Sequence, residues 1–198
     1  MMRRTMCLLA GLVLVVWISG CRVNVQKGAN GEDKNVQVDT PFGGVHVNTN
    51  NVTASDLGLP VYPHATQVQD DDNSKSADVH MGFGEWQLRV RVISFTSQDP
   101  QDKVEAFYKK ALGRYGPVIT CQDNTPVGTP IATPEGLTCA DDKKHTNVDV
   151  GNGLQLKAGS KHRQHIVGFD APKGGNTRFT LISLDLPANM DGGSNTSD

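Results

Sequence analysis

The sequence is poor in the features that usually reveal an activity. It contains no Gly-Xaa-Ser-Xaa-Gly, HExxH, P-loop or GxGxxG string, so the common hydrolase and nucleotide-binding signatures are absent. Its four cysteines are too few for a disulfide-dense miniprotein, and none of them makes a CxxC pair. An excess of positive charge is also missing. The 19 Lys+Arg are outnumbered by 21 Asp+Glu, for a net charge of -2, which excludes a strongly basic nucleic-acid binder. Beyond the N-terminus there is no long apolar run. What remains is 198 residues with 37% hydrophobic content, 21 Gly and 10 Pro, enough for one domain with a core of its own.

The strongest signal lies at the N-terminus. Arg3 and Arg4 precede an apolar stretch from Cys7 to Ile18, followed by Ser19, Gly20 and Cys21. Charge, a short apolar run and small residues at a cut site make a secretory signal. The run is shorter than the roughly 20 residues a membrane-spanning helix needs. Ile18-Ser19-Gly20-Cys21 resembles the bacterial lipobox. That resemblance implies diacylglycerol on the Cys21 sulfur, cleavage before Cys21 and acylation of the new amine. Each buried CH₂ contributes about 0.8 kcal/mol, so two or three chains hold a protein stably at a bilayer. Arg22 follows the lipidated position, which favours the outer membrane where the source has one. Loss of Arg3 and Arg4 with the signal takes the net charge from -2 to -4.

The cleaved chain divides by pattern into a polar segment over 21–55, a globular domain over 56–187 and a tail over 188–198 without apolar periodicity. In the first segment Val36-Gln37-Val38 and Val45-His46-Val47 alternate on either side of Thr40-Pro41-Phe42-Gly43, predicting a hairpin that serves as a spacer. Leu57 to Pro63 is expected to be extended, because each proline biases its predecessor away from helix. Strands are predicted over Ala77–Phe83 and Trp86–Thr96 around a Gly84-Glu85 turn. Alternation turns Trp86, Leu88, Val90 and Val92 inward and Gln87, Arg89 and Arg91 outward, with a bulge or two-sided burial at Ile93 and Phe95.

A helix over about residues 100–115 is predicted from Asp99 as N-cap, Pro100 at its first position and the stripe Val104, Phe107, Tyr108, Ala111, Leu112 and Tyr115. Gly116-Pro117 ends it. Further strands are expected over Val118–Gln122, Asn147–Val150, Leu154–Ala158, His165–Phe169 and Thr177–Leu186, the last central because both its faces are apolar. One helix on a mostly antiparallel sheet is an α+β fold.

Asp39-Thr-Pro-Phe-Gly-Gly, Gly58-Leu-Pro-Val-Tyr-Pro-His-Ala and Phe95-Thr-Ser-Gln-Asp-Pro leading to Val104-Glu-Ala-Phe-Tyr-Lys-Lys-Ala-Leu together resemble a family of uncharacterised bacterial lipoproteins. The likeness covers about two-thirds of the cleaved chain, and its motifs are structural. It implies the fold and the envelope address and carries no activity. His64 stands where that family has glycine.

Cys121 and Cys139 are the two thiols left to an exported chain, and an even pair in an oxidising compartment reads as a disulfide. A zinc pair lacks closely spaced Cys or His partners, and a redox couple lacks the CxxC spacing. His162 and His165, with His80 or His145, offer metal ligands only if they converge; flanking a strand, they read as surface histidines. Asp70–Asp72 lack the glycine and terminal glutamate of an EF-hand loop and read as a solvated turn. Lys157, Lys161, Arg163, Lys173 and Arg178 lie in a segment whose only acid is Asp170. They offer a positive face for an anionic glycan or lipid headgroup, against the plainer reading of lysine-guarded strand edges.

The expectation from sequence is therefore a non-enzymatic envelope lipoprotein acting as a binding or structural/assembly module, without cofactor or metal, partnered by the membrane through Cys21 and by an envelope protein, glycan or headgroup. The alternative is a membrane-tethered enzyme built on His80, His162 or His165 with a nearby Asp.

Overall fold

A computed structural model describes residues 21–27, 34–49, 51–69, 76–140, 153–171 and 175–187. The expected signal over 1–20, Asp70–Asp72, His145, the strand over 147–150, Lys173 and the tail over 188–198 lie outside the described residues.

Among the described residues eleven strands form one antiparallel sheet: β1 (Arg22–Lys27), β2 (Lys34–Thr40), β3 (Gly43–Thr49), β4 (Thr66–Gln67), β5 (Ser76–Phe83), β6 (Trp86–Ser97), β7 (Ile119–Gln122), β8 (Thr125–Pro126), β9 (Leu154–Gly159), β10 (Arg163–Phe169) and β11 (Thr177–Asp185). Their order is β1-β2-β3-β5-β6-β11-β10-β9-β7-β8, with β4 paired to β6. Helix α1 (Gln101–Leu112) continues as a 3₁₀ turn over Gly113–Tyr115. The fold is α+β, as the patterning predicts, and β11 sits between β6 and β10 in the interior of the sheet.

The two predicted hairpins form from local chemistry. Thr40 pairs with Gly43 around Pro41-Phe42, and the Thr40 hydroxyl donates to the Gly43 carbonyl at 2.8 Å. Phe83 pairs with Trp86 around Gly84-Glu85, with Gly84 at φ +60, a value glycine adopts without a steric cost. The N-terminal hairpin does not stand apart as a spacer. β3 pairs with β5 from Gly44↔Gly82 to Thr49↔Ala77, so the boundary drawn at residue 55 falls within one hydrogen-bonded sheet. Val52 and Ala54 already belong to the main core.

Helix α1 buries Val104, Tyr108 and Leu112 completely against Ile93, Phe95, Leu156, Val167, Phe169, Phe179 and Leu181. Phe179 is the centre of the aromatic packing, 5.8 Å from Phe95, 5.4 Å from Tyr108 and 6.4 Å from Tyr62. Such pairs contribute about 0.5–1.5 kcal/mol each beyond their buried area. The segment before Pro63 closes the core edge; it is not extended from its start as expected, because Leu57 ends a 3₁₀ turn over Ala54–Leu57 and Gly58 is left-handed. There the Tyr108 hydroxyl donates to the Pro60 carbonyl at 3.1 Å and accepts from the Tyr62 amide at 3.2 Å.

Two local expectations are corrected. Asp99 is not the N-cap; the helix starts at Gln101 with Pro100 capping it, and no side chain caps the end. The Asp99 carboxylate is taken instead by Lys103 Nζ at 3.2 Å and by the Tyr62 hydroxyl at 3.0 Å. These two bonds, Lys103's foremost, hold its carboxyl below the usual range. Secondly, the helix does not cover the face of β6 that carries Leu88, Val90 and Val92. It packs on the face of Ile93 and Phe95, which by alternation is also the face of Arg89 and Arg91. The register runs unbroken past Ile93, so both faces are apolar there without a bulge.

A polar groove on the helix side of the sheet

The helix covers only part of its face of the sheet, and beyond its end that face turns polar. Strand register sets two rows across it. One runs Arg163, Asp185, Arg89, His80, His46 and Gln37 on β10, β11, β6, β5, β3 and β2. The next runs His165, Ser183, Arg91, Asp78 and Asn48. Side chains in one row of paired residues stand on the same face, so these groups share one surface.

At its centre is an open depression of about 560 Å³ lined by His80, Gln87, Arg89, Arg91, Arg163 and Asp185, with Glu85 at its margin. Arg89 grips Asp78 with two bonds, Nε to Oδ1 at 3.0 Å and a terminal nitrogen to Oδ2 at 2.6 Å. That pairing raises the guanidinium pKa above its ordinary value. Arg91 donates to the Asp56 carbonyl and reaches Asp185 at 3.4 Å. Arg163 approaches the other oxygen of Asp185 at 3.5 Å. Both contacts to Asp185 are long for charge-assisted bonds, which settle near 2.7–2.9 Å. The Arg91 Nε is buried and has no hydrogen-bond partner among the described residues. Each guanidinium carries five donors, so the groove holds more N–H groups than its own carboxylates use.

The histidines take separate roles. His165 is buried; its Nδ1 lies 3.1 Å from the Leu57 carbonyl, and burial lowers its pKa. His162 sits in the β9–β10 turn, where its carbonyl accepts from the Leu186 amide at 2.7 Å. His80 lies across β5 with its ring 6.3 Å from His46. His46 in turn meets Asp39 at 3.2 Å, and Gln37 donates to the same carboxylate at 2.7 Å. Among the described residues no group of three or more His, Cys, Asp or Glu could hold a metal ion.

Of the five basic residues of the C-terminal segment, the four that are described do not form a common face. Lys157 is fully buried on the side away from α1 and donates to the Cys139 carbonyl at 3.4 Å. Lys161 lays its alkyl stem against Gly136. Arg178 also points away from α1 and pairs with Asp170 at 3.1 Å. Arg163 alone reaches the groove, while Lys173 lies outside the described residues. Sequence alone does not single out Arg89, Arg91, Asp78 or Asp185 as a site. The alternation of β6 marks its arginines as one face, but nothing local says that β11 brings Asp185 between them and Arg163.

The Cys121–Cys139 disulfide is present. It folds the loop after β8 back over β7, where Ile119, Cys121, Leu137 and Cys139 make a small second core. Among the described residues no helix is long and apolar enough to cross a membrane. No protein-family model, curated protein or solved structure matches the chain.

Proposed function

We propose that the chain is a lipid-anchored binding module of the bacterial envelope, held at the membrane by acyl chains on Cys21 and recognising an anionic group in the arginine groove. The lipobox-like Ile18-Ser19-Gly20-Cys21 and the likeness to a family of bacterial lipoproteins support the anchor, and Arg22 favours the outer membrane, facing the periplasm. Cys21 is an exposed free thiol immediately before β1, a position open to modification.

The observation that carries the binding role is the pair of guanidiniums on Arg91 and Arg163 that share the Asp185 carboxylate through long contacts, beside Arg89, which is held by Asp78. An incoming carboxylate or phosphate oxygen meets donors already oriented by β6 and β10, as planar fork recognition requires. The shared chemistry is an oxyanion, supplied either by a lipid headgroup phosphate or by a glycan carboxylate. For the enzyme alternative, a His–Asp pair is present at His46 with Asp39, both well exposed at 41% and 47%, an arrangement that also serves as a plain cross-strand tie.

Titration of the protein, with and without Arg91→Gln and Arg163→Gln, separates the sources. Inorganic phosphate and phosphatidylglycerol vesicles test the headgroup, and glucuronate tests the glycan. Arginine-dependent binding of one class identifies the ligand, while binding of none, or binding that the variants leave intact, overturns the role of the groove.

A further inference from the structure

The end of the sheet that carries Cys21 is also its most exposed aromatic end. Arg22 pairs with Asp39, so Cys21 sits level with the β2–β3 turn, whose tip residue Phe42 is 85% exposed. Across the sheet the same level holds the β5–β6 turn, because Gly44 pairs with Gly82 and Phe83 with Trp86. Phe83 is 46% exposed, and its ring lies 5.9 Å from that of Trp86. Gly43 has no room for a side chain, since Phe83 and the Gly82 carbonyl fill that space, so the two turns are packed side by side. At a strand spacing of about 4.8 Å, β1 and β5 are three intervals, or roughly 14 Å, apart.

Among the described residues, charge at this end is confined to one side. Arg22 and Asp39 stand on the helix-side face, and Glu85 borders the groove with Gln87 and Arg89. The opposite face carries Val23, Val25, Val38, Val45, Met81 and Phe83, with Val23 65% and Val25 52% exposed. An isolated exposed aromatic is ordinary. Aromatic residues on two adjacent turns, beside an aliphatic sheet face that begins two residues from an acylated cysteine, match a lipid interface instead.

We infer that the Phe42–Phe83–Trp86 end of the sheet is a bilayer-contact surface that enters the headgroup region beside the acyl chains of Cys21. The inference rests on the proposed lipidation for its setting and assigns the protein an orientation: strands rising from the membrane rather than a domain swinging free on a tether. The groove then stands near the lipid surface, since Arg89 is three residues along β6 from Trp86, or about 10 Å.

Trp86 supplies the readout. The sequence has 2 Trp, and Trp17 leaves with the expected signal, so the cleaved protein has one emitter. The lipidated protein, purified from membranes, is incorporated in phosphatidylcholine–phosphatidylglycerol vesicles with and without lipids brominated near the headgroup. Contact predicts a blue-shifted Trp86 emission that the brominated lipids quench and aqueous acrylamide reaches poorly. Vesicle-bound protein whose Trp86 is as open to acrylamide as that of the Cys21→Ser variant, and untouched by bromine, overturns the inference.

Mass spectrometry of the N-terminus separates this from a failure of the anchor, which would appear as an unacylated Cys21. A second arm does not depend on acylation. In Cys21→Ser protein, the weak partition to the same vesicles should fall about tenfold when Phe42→Ser and Phe83→Ser are added. Both side chains are exposed, so the pair leaves the core intact, and a partition they do not change also overturns the contact.

Discussion

Tyr115 and His165 lie ring over ring, with centroids 3.6 Å apart and planes 15° from parallel. Each ring also holds the same short stretch of backbone. The Tyr115 hydroxyl donates to the Gly58 carbonyl at 2.6 Å, and His165 Nδ1 lies 3.1 Å from the Leu57 carbonyl. A carbonyl can only accept, so Nδ1 carries a proton here. The stack thereby clamps the segment before Pro60 between the end of the helix and β10. Gly58 makes the clamp possible: its φ of +70 suits glycine, and a Cβ there would collide with the Tyr115 hydroxyl.

The clamp makes stability depend on pH in a defined direction. Burial lowers the His165 pKa in the folded state, helped by the charges of Arg114 and Arg163 and opposed by the Leu57 bond and Asp185. The unfolded chain therefore binds its proton first as pH falls. Stability is full above the unfolded value near 6.5 and declines below it, levelling off once the lowered folded value is passed. Thermal unfolding between pH 7.5 and 5 should show that decline, and His165→Gln should flatten it. An unchanged slope in the variant would remove His165 as its source.

The turn at Pro63-His64 gives a second test. Ala65 donates to the Tyr62 carbonyl at 3.0 Å, and His64 at φ 59 occupies the position of this turn that favours glycine. Glycine relieves about 1 kcal/mol of left-handed strain but adds a comparable entropy to the unfolded chain. His64→Gly should therefore stay within about 0.5 kcal/mol of the parent, whereas β-branched His64→Val should lose roughly 1–2 kcal/mol. Urea midpoints measure both. A tolerated valine would show that the turn relaxes.

These features differ in how far the sequence discloses them. The helix and both hairpins are written locally, in the Val104–Leu112 stripe and in turn residues such as Gly84. The covered face of β6 is not, because that strand is apolar on both faces and only the position of α1 decides between Leu88 and Ile93. Lys157 defeats composition outright. A lysine on a strand normally marks solvent, yet the disulfide loop after β8 supplies the Cys139 carbonyl and covers it. The groove is the least legible part, since Arg91 and Asp185 meet across 94 positions of sequence.

The disulfide fastens that cover. Its partners are 18 positions apart, and closing a loop of about this length stabilises by around 3 kcal/mol in the chain-entropy view. Replacing Cys121 and Cys139 together by alanine should lower the melting temperature by about 6–12 °C, read by calorimetry. Reductant should reproduce the loss in the parent protein and add nothing in the double variant. A further fall in the variant would mean that the reductant acts elsewhere.

Asp185 offers the sharpest division between a stabilising and a recognising role for the groove. If Arg91 and Arg163 serve only to anchor its carboxylate, Asp185→Asn simply removes two long ion pairs. Its side chain is 38% exposed, so the loss should stay within about 1 kcal/mol. If the arginines recognise an oxyanion, Asp185 competes with the ligand for the same donors. Neutralising it then frees them and removes a repulsive charge, so phosphate or carboxylate affinity should rise by about tenfold while stability falls slightly. Arg91→Gln should move affinity the other way in the Asp185→Asn background. Isothermal titration on the single and double variants reads both effects, and an affinity that Asp185→Asn leaves unchanged or weakens would return the arginines to a structural role.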